Sequence, residues 1–102
     1  MKNILFVLAS TVATTTMADI YISPQKADEL AKNGTIKPLS VLESTAKSQV
    51  KGASIIYTNL EQDDDGARRY EYEAKVRDAQ NTVWEITIDA QSGAVIEVDR
   101  DD

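Results

Sequence analysis

The chain has neither histidine nor cysteine among its 102 residues. That removes thiol and imidazole nucleophiles, the Ser-His-Asp arrangement, and the usual ligands of zinc and haem. No cofactor is expected. Disulfides are excluded too, so stability must come from a packed core, which is thin in so small a domain. Cations are scarce, with 11 Lys and Arg against 17 Asp and Glu for a net charge of −6. Nucleic acid is therefore not an expected partner, because no cationic excess exists to neutralise phosphates. Long hydrophobic runs are missing as well: the longest, Ile4 to Ala13, is about half of the ~20 residues that span a bilayer. The length allows one domain.

What is present begins with an address. Lys2 supplies a short positive start, ILFVLASTVA (Ile4 to Ala13) an apolar run, and Thr16 and Ala18 small residues before Asp19. This layout predicts a secretory signal peptide over 1–18, removed before Asp19. The mature domain, 19–102, is then periplasmic or extracellular and has no membrane attachment.

Two helices are predicted next. Ser23 can cap a short helix over 24–33 with Pro24 at its first position, and Asn33-Gly34 ends it. Ser40 and Glu43 have the spacing of a capping box for a main helix over 40–51. Val41, Leu42, Thr45, Ala46, Gln49 and Val50 give that helix one largely apolar face, and Gly52 stops it.

From Ala53 the period changes to two. Strands are predicted at about 54–62, 68–77, 82–89 and 94–99, separated by Asp63-Asp64-Asp65-Gly66, Asp78-Ala79-Gln80-Asn81 and Asp89-Ala90-Gln91-Ser92-Gly93. Ile56, Thr58, Leu60, Tyr70, Tyr72, Ala74, Val76, Trp84, Ile86, Ile88, Ile96 and Val98 fall in the inward phase. Alternation means one covered face and one wet face, and short connections favour an antiparallel meander. The expected fold is a two-layer α+β domain, with N-terminal helices on one face of a four-stranded antiparallel meander. The first and last strands are its expected edges.

The same segments carry a pattern of a known kind. Tyr70-Glu71-Tyr72, Val83-Trp84-Glu85-Ile86, Asp89-Ala90 and Ser92-Gly93 follow one another as alternating strand, turn, second strand and closing turn. Upstream, Gly34-Thr35-Ile36-Lys37-Pro38-Leu39 has the form G-x-I-x-P-L ahead of the main helix. In this order the chain resembles the PepSY domain from about Asp28 to Asp102, in particular the small exported single-domain members. The resemblance implies a non-catalytic module that inhibits or regulates peptidases or serves a sensor at the cell surface. It brings no catalytic residues.

The remaining constellations have modest readings. With Gly66 at the sixth place of a calcium loop, Glu61, Asp63 and Asp65 take the first, third and fifth places. Tyr72, however, stands where the bidentate Glu belongs, so Asp63 and Asp65 are at most weak cation candidates on a solvated hairpin tip. Glu71, Glu73 and Glu85 are expected to pair across strands with Arg69 and Lys75 rather than to act as acid and base. Ser44 with Lys47 and Ser48 with Lys51 have dyad spacing without an oxyanion motif. The tail Asp99-Arg100-Asp101-Asp102 is read as a solubilising run. A patch on the wet face, with Ile55, Tyr57, Val83 and Val95 at its centre, is rimmed by Arg69, Glu71, Lys75, Glu85 and Glu97. It is the expected docking surface for a protein partner, an exported peptidase or a sensor ectodomain. The expected state is a monomer or a weak homodimer through edge strands. The alternative is a small-ligand or cation sensor using the acidic tips.

Overall fold

The computed structural model of the chain describes residues 20–63 and 69–101. The segment read as a signal peptide lies outside them. In chain order the elements are β1 (Ile20–Tyr21), α1 (Pro24–Lys32), α2 (Leu39–Lys47), β2 (Ser54–Gln62), β3 (Tyr70–Arg77), β4 (Val83–Asp89) and β5 (Val95–Arg100). They form one antiparallel sheet in the order β1-β2-β3-β4-β5, under a helix layer in which α2 packs over β3 and β4 and α1 against α2. The α+β class stands, but the sheet has five strands rather than four. The additional one, β1, pairs with the end of β2 at Ile20↔Gln62 and Tyr21↔Glu61. Two residues carry no alternation to read, which is why the sequence pattern does not announce this strand.

The helix ends obey local chemistry. The Ser23 side chain accepts the Lys26 amide at 3.2 Å. At the other end of α1, Thr35 N–H reaches Leu30 O at 2.9 Å and Gly34 N–H reaches Ala31 O at 3.3 Å, with Gly34 at φ 83°. That paired closure needs a left-handed residue after the cap, which glycine supplies without a Cβ clash. For α2 the capping-box expectation fails. Pro38 stands at the cap position without a side-chain bond, and Ser40 lies inside the helix. The helix also stops at Lys47, short of Lys51. Ser48 Oγ (2.7 Å) and Gln49 Nε2 (3.1 Å) both donate to Thr45 O, taking up a carbonyl that a further turn would use.

The connector between the helices is tied down at its middle, where Lys37 N–H donates to Ala90 O at 2.8 Å beside buried Ile36. The core gathers Leu30, Leu42 and Ala46 of the helices against Leu60, Tyr72, Val76, Ile86 and Ile88 of the sheet. Tyr70 and Trp84 pack at its margin, half-buried.

Two bulges alter the phase of the outer strands. In β2, Ile55 opposes Val76 and Tyr57 opposes Lys75, leaving Ile56 unpaired. In β5, Val95 opposes Ile88 and Glu97 opposes Thr87, leaving Ile96 unpaired. An extra residue reverses the side-chain phase beyond it. Ile55 therefore packs against the core, and Val95 lies on the same side of the sheet though 38% exposed, where strict alternation puts both on the other face. Ile56 and Ile96, expected inside, are 44% and 49% exposed.

Candidate functional site

The uncovered face of the sheet is built by the register, row by row. Tyr57, Lys75, Glu85 and Asp99 form one row across β2 to β5, and Asn59, Glu73, Thr87 and Glu97 the next. Glu71 and Asp89 continue into the row beyond, where Glu61 is buried beside β1, and Arg77 with Val83 closes the opposite end. The face is thus dominated by carboxylates, with Lys75 the cation at its centre. Such a surface has a negative field that favours a partner of opposite sign.

The bulges change the expected patch. Ile55 packs against the core and Val95 sits in register with core-facing Ile88, so neither belongs to the open face. Tyr57 and Val83 remain on it, in adjacent rows but two strands apart, beside Lys75 and Arg77. Glu71, Lys75 and Glu85 are on the face as expected. Arg69, just outside β3, is 3.9 Å from Asp63 at the base of the hairpin. The four apolar side chains taken for a patch are therefore not brought together.

Charge pairing departs from expectation as well. Lys75 opposes Glu85 in the register, but its ion pair among the described residues is with Asp101, at 3.2 Å. The hydrogen bond and charge of Asp101 raise the Lys75 ammonium above its ordinary pKa, with smaller contributions from Glu85 and Tyr57. The segment read as a solubilising tail is structured through Asp101: Asp99 and Arg100 are in β5, and Asp101 N–H donates to Val83 O at 2.9 Å. Two positions apart on β5, Asp99 raises the Glu97 pKa by its hydrogen bond and its charge. Like charges held this close resist losing both protons. Asn59 Nδ2 donates to Glu61 Oε2 at 2.7 Å, and Glu61 is only 5% exposed.

A second feature lies on the other side of the sheet. Between the helices and β2 a cavity of about 410 Å³ opens, walled by Ile22, Ala27, Leu39, Leu60 and Tyr72, with Glu43 and Thr58 among its polar members. Burial raises the Tyr72 phenol above its ordinary pKa, Thr58 offsets this through a side-chain hydrogen bond, and the Glu43 carboxylate adds to the rise. Sequence reading missed this cavity because its walls come from four elements whose juxtaposition only the fold decides.

The other candidates have local roles. Ser48 caps the end of α2, and with the helix ended at Lys47 its spacing to Lys51 is no longer helical. Asp63 closes the β2–β3 hairpin, its amide donating to Arg69 O at 2.8 Å, while Asp65 lies outside the described residues. Among the described residues, no cluster of three or more His, Cys, Asp or Glu is placed to hold a metal. No helix of the described residues is long and apolar enough to cross a membrane. The arrangement offers a charged, hydrogen-bonding surface and a groove, which are means of binding.

No curated protein and no solved structure matches the chain significantly. A family model does, the peptidase propeptide and YPEB domain, from residue 21 to residue 99 and so over most of the chain. The described elements from Tyr21 to Asp99 are that match, and the chain belongs to the PepSY family.

Proposed function

We propose that the protein is an exported, non-catalytic binding module that docks on a protein partner through the open face of its sheet and so regulates it. The partner is an exported peptidase or the ectodomain of an envelope sensor, and it presents a basic surface. The observation that carries this reading is the row-by-row assembly of Glu73, Glu85, Glu97 and Asp99 around one lysine on a face that no helix among the described residues covers. Family membership supports it independently, since the family is that of peptidase propeptides. Tyr57 and Val83 supply apolar contact among the charges, and Lys75 sets orientation rather than attraction. Export is supported by the leader read in residues 1–18.

The test uses the mature chain as bait for the exported proteins of its own source, alongside a Glu73→Lys, Glu85→Lys, Glu97→Lys variant. Peptidase activity of the captured material is measured with and without added bait. Capture of a peptidase that the wild type inhibits and the variant does not would support the reading. Equal capture by both baits, with unchanged peptidase activity, would refute it.

A further inference from the structure

The extra strand β1 is short, and what it leaves uncovered is informative. Its pairing with β2 covers Gln62 and Glu61, and Ile22 N–H adds one bond to Leu60 O at 2.9 Å. The chain then leaves the sheet at Ser23 to enter α1. From Asn59 back to Ser54, the outer edge of β2 has no neighbouring strand among the described residues. Backbone groups that point to one side of a strand recur every second residue. Since Leu60 O faces β1, the N–H and C=O of Thr58 face the bare edge. A row of this kind is a template for another strand.

The cavity of about 410 Å³ opens beside this same edge, with Thr58, Asn59 and Leu60 among its walls. Leu60 and Tyr72 wall it from the sheet, Ala27 and Leu39 from the helices. Glu43 stands among these apolar walls and makes no ion pair among the described residues. We propose that this edge groove is a peptide-binding site for an extended segment of a partner protein, laid as a strand along Thr58. Alternate side chains of that segment face the groove. One is apolar and sits between Leu39 and Leu60. The next, two residues away, is Lys or Arg and reaches Glu43. The occupant is specified by main-chain bonds at the edge, apolar volume between the layers and charge complementarity at Glu43. The site is separate from the open face and does not depend on what that face binds.

The probe is a fluorescently labelled synthetic peptide in which Ile, Lys and Val alternate with Thr, titrated with the mature chain and followed by anisotropy. Saturable binding is expected, weakening as salt is added. Glu43→Lys, a change at an exposed helix position, should weaken it about five- to tenfold. A peptide with Glu in place of Lys should regain that loss on the Glu43→Lys variant. Thr58→Pro removes an outward N–H at an edge, where proline is tolerated, and should abolish binding while the fold is retained. The charge-swap pair keeps the test valid if Thr58→Pro unfolds. The proposal is overturned by an absence of saturable binding at millimolar peptide, or by equal affinity for the wild type and Glu43→Lys. Loss of binding in the Glu73→Lys, Glu85→Lys, Glu97→Lys variant alone would place the peptide on the open face and overturn it. So would self-association of the chain that Thr58→Pro abolishes, because a second copy would then hold the edge.

Discussion

Trp84 Nε1 donates to Asp78 Oδ2 at 3.0 Å, so the indole that flanks the core also clamps the turn that precedes its own strand. The other carboxylate oxygen, Oδ1, accepts the amides of Gln80 at 2.8 Å and Thr82 at 2.9 Å. One aspartate thus holds the β3–β4 turn, in which Asn81 takes φ 70°.

These bonds, the Trp84 bond first, hold the Asp78 carboxyl below the usual carboxylate range. The folded chain therefore binds this proton less readily than the unfolded chain. The stabilisation is complete above about pH 4, the ordinary aspartate value, and is lost as pH falls through the depressed one. Asp78→Ala should lower the thermal midpoint at pH 7, and the gap from wild type should narrow towards pH 2. A constant gap across that range would contradict it.

Glu97 titrates in the opposite sense. Asp99 raises its pKa, so the folded chain takes up this proton more readily than the unfolded chain. Its charge is a burden above the raised value and is relieved as pH falls below the ordinary glutamate value of about 4.3. Glu97→Gln should raise the midpoint at pH 7, give no gain at pH 3, and show a smaller effect in high salt. Thermal melts at the two pH values decide it.

The two isoleucines that begin β2 should behave unequally. Ile55 packs on the core opposite Val76, whereas Ile56 is the unpaired bulge residue and largely exposed. Ile55→Ala should cost about 1–2 kcal/mol, below the range for fully buried isoleucines because Ile55 is half-buried, and Ile56→Ala within about 0.5 kcal/mol. Denaturant titration of both variants measures this, and the reverse order would mean that β2 alternates without a bulge.

Gly52, in the turn between α2 and β2, takes φ 70°, and a Cβ there would stand 2.9 Å from Ala79 Cβ. Gly52→Ala should destabilise by about 1–3 kcal/mol, combining left-handed strain with the clash. Adding Ala79→Gly should recover the clash and leave the strain. Full recovery in the double variant would show that the backbone carries no strain.

Much of the architecture was legible locally. Ser23 and Gly34 act on atoms a few residues away, so their types announced the ends of α1. Tyr72, Val76, Ile86 and Ile88 lie in central strands with partners on both sides, where a strict period of two survives and reports burial directly. The face they leave open, with Glu71, Lys75 and Glu85, follows from the same alternation.

The outer strands were not legible in this way. Whether a strand absorbs an extra residue depends on the twist and register of its neighbour, so nothing in SIIY or VIEV marked Ile56 or Ile96 as the bulged position. That single-residue slip moved Ile55 onto the core and Val95, still 38% exposed, to the helix side of the sheet, so the apolar patch is divided and the open face is defined by carboxylates. The edge groove is a purely tertiary product as well, since Ala27, Leu39, Leu60 and Tyr72 meet only when the helices lie over the sheet. Sequence by itself determined the α+β class, the covered central strands and the acidic character of the chain, because these follow from short-range periodicity and composition. Tertiary structure decided which outer side chains face the core, how far β1 covers its neighbour and where a groove remains, because each depends on contacts between segments far apart along the chain.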